Sequence, residues 1–461
     1  MMTMDKTNRI DMLHGSPLRA MIAFALPLIA TGMLQQSFNS VDIAVAGRFA
    51  GHGALAAVGS NGPVIGLIIN LFVGMAIGVN VVIANYIGQR NHAGVTRAVG
   101  TSAYLSVICG IIMLAISQLV ARPILTILDT PAEVLDQAVE YLRIMGIGMP
   151  FMLMYNFGSA VLRSVGDTRR PFYILVATGF LNIGLNLLFV IGMGMGVAGV
   201  AWGTVIANVV NAAAIGYILA CKGGEVALLT THIRPYRQEL RKIFAIGLPA
   251  GLQSTVFSFS NVFILSAINS FGAIAAAGSA AAIIFEFYNY HIISAFAQTA
   301  TTFTGQNFGA GQNERIRRIF LYSLGMAFAG SLAFAAVTLW KDSMFMSLFT
   351  GDAEVIGFGC ERIAVVLLFQ FIASYYEIAG GVLRGTGHSM TPAIITITGT
   401  CVLRLFWVGL FPAGASFGSL LLVYPVSWTL TDIMMWVAMR RVTSRLPGWD
   451  GTQKEAETAA A

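Results

Sequence analysis

Three carboxylates and one arginine lie inside long apolar runs of this 461-residue chain. Each needs a reason to be there, because an ionisable side chain in hydrocarbon costs about 2.5–3.5 kcal/mol on insertion scales. Gln35, Asn39 and Asp42 stand at i, i+4 and i+7, so a helix carries all three on one face. A carboxylate flanked by amides is suited to trading a proton or to holding a sodium ion among oxygen ligands. Asn182 and Asn186, again four apart, offer carbonyl oxygens and amide donors. Further on, Glu286, Glu377 and Arg404 are each surrounded by apolar residues and are expected to meet. Two acids against one arginine leave a negative charge for a proton or a bound cation to neutralise; a fixed salt bridge of Arg404 with one glutamate is the simpler alternative. Tyr290, His291, Gln298 and Tyr376 extend this second cluster, and aromatic rings of this kind stack on flat cations. Taken alone, His291 reads as a packing histidine. Asp432, eight residues before Arg440, reads as half of a salt bridge at a helix end.

The elements that must position these residues are membrane helices. Hydrophobic residues make up 56% of the chain and charged residues 10%, against roughly a quarter charged in a soluble domain. Stretches such as Ile22–Ala46, Gly66–Ala84, Ile174–Ile191 and Leu321–Leu339 contain no Lys or Arg, and a spanning helix needs about 20 apolar residues. About twelve such stretches follow one another, and the first reads as a retained anchor rather than a cleaved signal. The net charge of +6 does not point to nucleic acid, since the basic residues are dispersed between spans. With both termini cytoplasmic, 21 of the 27 Lys and Arg fall inside, as the positive-inside rule requires for an even number of spans. Arg48, Arg122, Arg143, Lys341 and Arg362 then fall outside, and Arg404 within a span. The four cysteines lack metal or redox spacing and read as free thiols. No metalloenzyme motif, Ser–His pairing or nucleophile elbow lies at membrane depth, so an enzyme is not expected, nor a resident cofactor.

The chain also repeats itself. Residues 132–171 lie over 353–392 at a constant shift, pairing Glu133 with Glu354, Tyr155 with Tyr376, Arg163 with Arg384, Gly166 with Gly387 and Pro171 with Pro392. Shared apolar bias would not place Arg, Gly, Glu and Pro in register. Elsewhere Leu26-Pro27 pairs with Leu248-Pro249 and Asn39 with Asn261. Six spans per half orient both halves alike, and transporters of this build hold substrate between the halves and work by rocking them. The expected divisions are a cytoplasmic segment 1–19, a first lobe 20–221, a polar linker 222–242, a second lobe 243–440 and a cytoplasmic tail 441–461.

The loop Leu162-Arg163-Ser164-Val165-Gly166 and its copy Leu383-Arg384-Gly385-Thr386-Gly387, with Gln35 to Asp42, the run Ala54 to Gly59 and Gly-Gln turns at Gly88 and Gly305, resemble the multidrug and toxic compound extrusion (MATE) family along nearly the whole chain. In each loop a cation ends a helix, a glycine takes positive φ and a proline starts the next span. The resemblance implies a V-shaped pair of six-helix bundles. They would export amphipathic, often cationic small molecules from the bacterial inner membrane in exchange for protons or sodium ions, as a monomer. It also places Asn182 and Asn186 opposite Asp42. Some proton-coupled members carry a second acid where this chain has Asn186. Acids that sodium-coupled relatives carry in spans seven and ten are replaced here by Gln253, Ser254 and Ala373, so that site is not expected. A lipid or lipid-linked oligosaccharide flippase of a related superfamily is the alternative, and would call for a broadly cationic cavity.

Overall fold

A computed structural model of the chain describes residues 9–50, 52–127, 130–411, 415–447 and 449. Among these, twelve helices are long and apolar enough to cross a bilayer, and no strand occurs. They are α1 (Pro17–Phe49), α2 (His52–Gly88), α3 (His92–Ile127), α4 (Ala132–Ser164), α5 (Arg169–Gly192), α6 (Gly196–Lys222), α7 (Arg237–Asn269), α8 (Ala273–Gly309), α9 (Asn313–Trp340), α10 (Ala353–Gly385), α11 (Met390–Gly409) and α12 (Phe417–Thr443). Several exceed 30 residues, so by a rise of about 1.5 Å per residue they are longer than the hydrocarbon core. Residues 1–8 and most of the expected tail 441–461 lie outside the described residues. Gly305 is interior to α8 rather than at a turn, and α8 ends at Gly309. All four cysteines are free thiols.

The internal repeat is reproduced in backbone geometry. After α4, the Gly166 N–H bonds Arg163 O at 2.9 Å and the Asp167 N–H bonds Leu162 O at 3.0 Å; after α10, the Gly387 N–H bonds Arg384 O at 2.9 Å and the His388 N–H bonds Leu383 O at 2.8 Å. Gly166 has φ +87° and Gly387 φ +89°, a left-handed conformation that ends a helix and suits glycine alone.

The chain folds as two compact units. The first comprises Met1–Ile10 with Ala30–Gly251, the second Asp11–Ile29 with Leu252–Ala461. The helices α1 and α7 therefore each begin in one unit and finish in the other. Pro27 and Pro249 sit beside the two crossing points, inside α1 and α7, and as prolines they donate no backbone N–H to the helix there. Linker 222–242 packs on the first unit: Val226 is fully buried in its core, and Glu239, 1% exposed, pairs with Arg97 at 2.7 Å. In the second unit Met12 is buried, and the Arg315 guanidinium donates to the carbonyls of Met12, His14 and Gly15 at 3.0–3.2 Å.

Candidate functional site

In the first unit, small residues bring α1 and α5 together. A Cβ at Gly179 would stand 1.9 Å from the Phe38 ring, so the bare backbone there lets the ring lie against α5, with its edge toward Phe180. One turn on, Asp42 meets the α5 amides. The Asn186 amide nitrogen donates to the Asp42 carboxylate at 2.6 Å, and the same nitrogen lies 3.4 Å from Asn182 Oδ1. Turning the Asn182 amide over satisfies both its ends. Its nitrogen then donates to Asp42 at 2.9 Å and its oxygen accepts from the Thr204 hydroxyl at 3.2 Å and the Thr204 N–H at 3.3 Å. Asn182 and Asn186 are 5% and 0% exposed, and the buried phenol of Tyr141 lies within electrostatic reach of Asp42. Asn186 Oδ1 is buried without a hydrogen-bond partner among the described residues. It has room only because residue 203 is glycine, where a Cβ would come within 2.0 Å of that oxygen.

Asp42, Asn182 and Asn186 are thus brought together as expected, and Thr204 of α6 joins them. Gln35 and Asn39 do not take part. Both are exposed, and the row of α1 that meets α5 is Phe38 and Asp42, one residue round the helix from Gln35 and Asn39. Gly203→Ala is expected to displace the Asn186 amide at a cost of about 1–3 kcal/mol of overpacking. A lower melting midpoint in detergent is the expected result; an unchanged midpoint means that the close approach of Asn186 to residue 203 does not hold α5 against α6.

The second unit departs from expectation. Glu286 does not meet Arg404. Its carboxylate takes two bonds from Arg362, Nε at 2.6 Å and Nη2 at 3.0 Å. Arg362 also donates to Ser279 Oγ at 2.8 Å and to the Tyr424 hydroxyl at 3.2 Å. Arg362 is 1% exposed, not a residue of an outer segment. The helix α10 is longer than the bilayer and carries Arg362 nine residues in from its start. A π-turn over Ile363–Leu367 and a 3-10 stretch over Leu368–Ala373 follow it directly, a winding common at functional positions.

Arg404, also 1% exposed, donates to Asn261 Oδ1 at 2.9 Å and Ser427 Oγ at 3.3 Å. Its guanidinium lies over the rings of Tyr424, 4.6 Å from the centroid, and Phe257, 5.1 Å. Among the described residues no carboxylate pairs with it. Glu377 accepts from the Tyr290 hydroxyl at 3.2 Å, with Arg384 as its cationic neighbour; Arg384 is buried and donates to Gln253 at 2.9 Å. The expected trio therefore does not form: Glu286 reaches Arg404 only by way of Arg362 and the Tyr424 ring that both guanidinium groups lie against, and Glu377 belongs with Tyr290 and Arg384. His291 makes no hydrogen bond among the described residues, and Gln298 reaches only Ser294 at 3.4 Å. Tyr376 is buried and gives its backbone N–H to Asp432 at 3.0 Å. Asp432 is hence not paired with Arg440, which stacks on Trp436 instead. Eight residues of helix separate the two charges by roughly 12 Å, so Asp432 takes the N–H presented where α10 returns to α winding at Ser374.

Comparison with known proteins decides what carries this arrangement. The MatE family model matches residues 27–188 and 249–407, one match in each half. The chain belongs to the MatE family. It is similar to the probable multidrug resistance protein NorM of Thermotoga maritima, 28% identical over 397 residues that cover 84% of each protein. It is also similar to the multidrug export protein MepA of Staphylococcus saprophyticus, 21% identical over 433 residues, 93% of this chain and 95% of that one. Among solved structures, the outward-facing conformation of a multidrug resistance MATE family transporter superposes with a TM-score of 0.89 at 25% identity, covering 96% of this chain and 99% of that one. Family membership and the twelve spans make this a multi-pass membrane transporter of the MatE multidrug efflux family, and not an enzyme. In this MatE chain Thr204 and Arg362 are site residues that the sequence pattern does not single out. Thr204 carries no spacing signal, being placed only by the packing of α5 on α6. The signal for Arg362 was available: Ser279 and Glu286 lie two turns apart on one face of α8, both of them polar in an apolar helix.

Proposed function

We propose that the protein is a secondary active exporter of amphipathic, cationic small molecules, that Asp42 is its ion-coupling group, and that the two halves rock to give alternating access. The observation that carries this reading is the Asp42 site, a carboxylate faced by amides of α5 with the oxygen of Asn186 buried beside it and unpartnered among the described residues. With Asp42 charged, the amide N–H groups of Asn186 and Asn182 point at its carboxylate. When a proton arrives Asp42 becomes a donor and seeks an amide oxygen; when sodium arrives the same oxygens, with Asp42 and Thr204, supply the hard ligands it prefers. Either ion works by turning the same two amides over, which joins charge neutralisation at Asp42 to a change in how α1 seats on α5. The multidrug names of the relatives support the cargo class. The charge asymmetry of the sequence supports cytoplasmic termini in a bacterial inner membrane. A flippase reading draws on Arg404, which has no acid partner among the described residues, but Arg362 is already neutralised by Glu286, and one cation does not make a broadly cationic cavity.

The test places purified protein in liposomes, imposes a proton gradient or a sodium gradient, and follows a fluorescent cationic dye. Dye movement under one gradient and not the other is the expected result and names the ion. Absence of movement under both, with movement of a labelled phospholipid, overturns the exporter in favour of the flippase.

A further inference from the structure

Between α11 and α12 runs a groove of about 530 Å³ that is apolar along its length and cationic at one end. Ile395 of α11 and Ile433, Met434 and Val437 of α12 form its wall, and Arg441 and Arg445 close it. Ile433, Val437 and Arg441 follow one another at intervals of four, so a single face of α12 passes from hydrocarbon to charge, and Arg445 stands in the turn just past the helix end at Thr443. Ile433 is 57% and Val437 37% exposed. Both arginines are exposed, and among the described residues neither forms an ion pair. Their neighbour Arg440, by contrast, lies over the Trp436 ring. No acidic residue lines the groove.

We propose that this groove is a binding site for an anionic phospholipid of the leaflet in which α12 ends. One acyl chain lies against Ile395, Ile433 and Val437, and the phosphate sits on Arg441 and Arg445. The dimensions suit it. From Ile433 to Arg441 the helix rises about 12 Å, against roughly 15 Å for the hydrocarbon depth of one leaflet, half of a core of about 30 Å. The arginines thus stand at the level of the phosphates while the wall below stays among the tails. A soluble anion would use the charge and leave the wall bare; a zwitterionic lipid would use the wall but carries an ammonium that two unpaired guanidinium groups repel. A phosphate monoester or diester matches two neighbouring guanidinium forks, which bind planar pairs of oxygens. Basic pockets between spans at the membrane surface take acidic head groups by the same physics. The site rests on the membrane fold alone and does not depend on the export reading.

Native mass spectrometry of the full-length protein in detergent tests it. The protein is titrated in parallel with dioleoyl phosphatidylglycerol and dioleoyl phosphatidylcholine, which share their acyl chains. Wild type is expected to retain the anionic lipid about tenfold better. In the Arg441→Gln/Arg445→Gln double variant, whose substitutions are exposed and are expected to leave the melting midpoint unchanged, that preference falls to parity. Val437→Trp, which fills the groove, lowers retention of both lipids. Equal retention of the two lipids by wild type overturns the proposal, as does a preference that survives in the double variant. Displacement of the lipid by soluble glycerol 3-phosphate at equal concentration also overturns it, by showing a head-group site that the apolar wall does not serve.

Discussion

Asp42→Asn is expected to abolish gradient-driven efflux while leaving the protein folded and able to bind its cargo. The amide has the size of the carboxylate and can still accept a hydrogen bond from Asn186, so packing against α5 survives. What is lost is the charge. The proposed coupling step consists of an ion neutralising Asp42, and an amide has nothing to neutralise. Hydrogen bonds to a charged group contribute about 1.5–3 kcal/mol, so ion affinity should fall by roughly ten- to a hundredfold. Two measurements separate this from general damage. Dye binding to the detergent-solubilised variant, read by fluorescence polarisation, is expected to stay within about twofold of wild type, a difference well under 1 kcal/mol. Efflux from liposomes should become independent of the imposed gradient. Transport at the wild-type rate under a proton or sodium gradient would remove Asp42 from the mechanism. Retention of coupling in Asp42→Glu, the conservative change, would support the role from the other side.

The second large effect is structural. Arg362→Met replaces a buried guanidinium with an apolar chain and leaves the Glu286 carboxylate, 12% exposed, without its cation. Breaking a buried pair by removing one partner costs about 3–5 kcal/mol, most of it the orphaned charge, so the melting midpoint in detergent should drop sharply. Adding Glu286→Gln removes that charge and is expected to recover most of the loss, giving a large coupling term in the double-mutant cycle. Arg404→Met makes the contrast. Arg404 is equally buried but pairs with no acid among the described residues, so its removal costs two polar hydrogen bonds and two ring contacts, and takes away a buried cation that no carboxylate balances. If the Arg362 and Arg404 variants prove equally mild, the pair with Glu286 is not what holds this part of the unit together.

Much of the architecture was legible in the amino-acid sequence because it is written in local rules. Spans follow from apolar length, and the loops at Gly166 and Gly387 from a cation, a glycine and a proline at fixed offsets in both halves. The site was legible only in part. Spacing along one helix tells which residues share a face and says nothing about which face a neighbouring helix will cover. The row Gln35, Asn39 and Asp42 satisfied the helical period, yet the row that packs on α5 is Phe38 and Asp42, selected by the missing side chain at Gly179. The alternation of spans puts Arg362 in an outer segment, and only the length of α10 carries it inward. The partner of Glu286 was thus sought at Arg404, the arginine that hydropathy places in a span, although the guanidinium that reaches it comes from the boundary.

The passage of α1 and α7 from one compact unit to the other, each beside a proline that the repeat aligns, bears on how the halves can be separated. A cut in the linker before Arg237 would yield a first fragment carrying Asp11–Ile29, a strip of the second unit's interior, and a second fragment carrying residues 237–251 of the first unit. Neither piece owns a complete interior. Each keeps what the other lacks, so the two should mature only when synthesised together, in the manner of a reciprocal loan rather than of two modules on a tether.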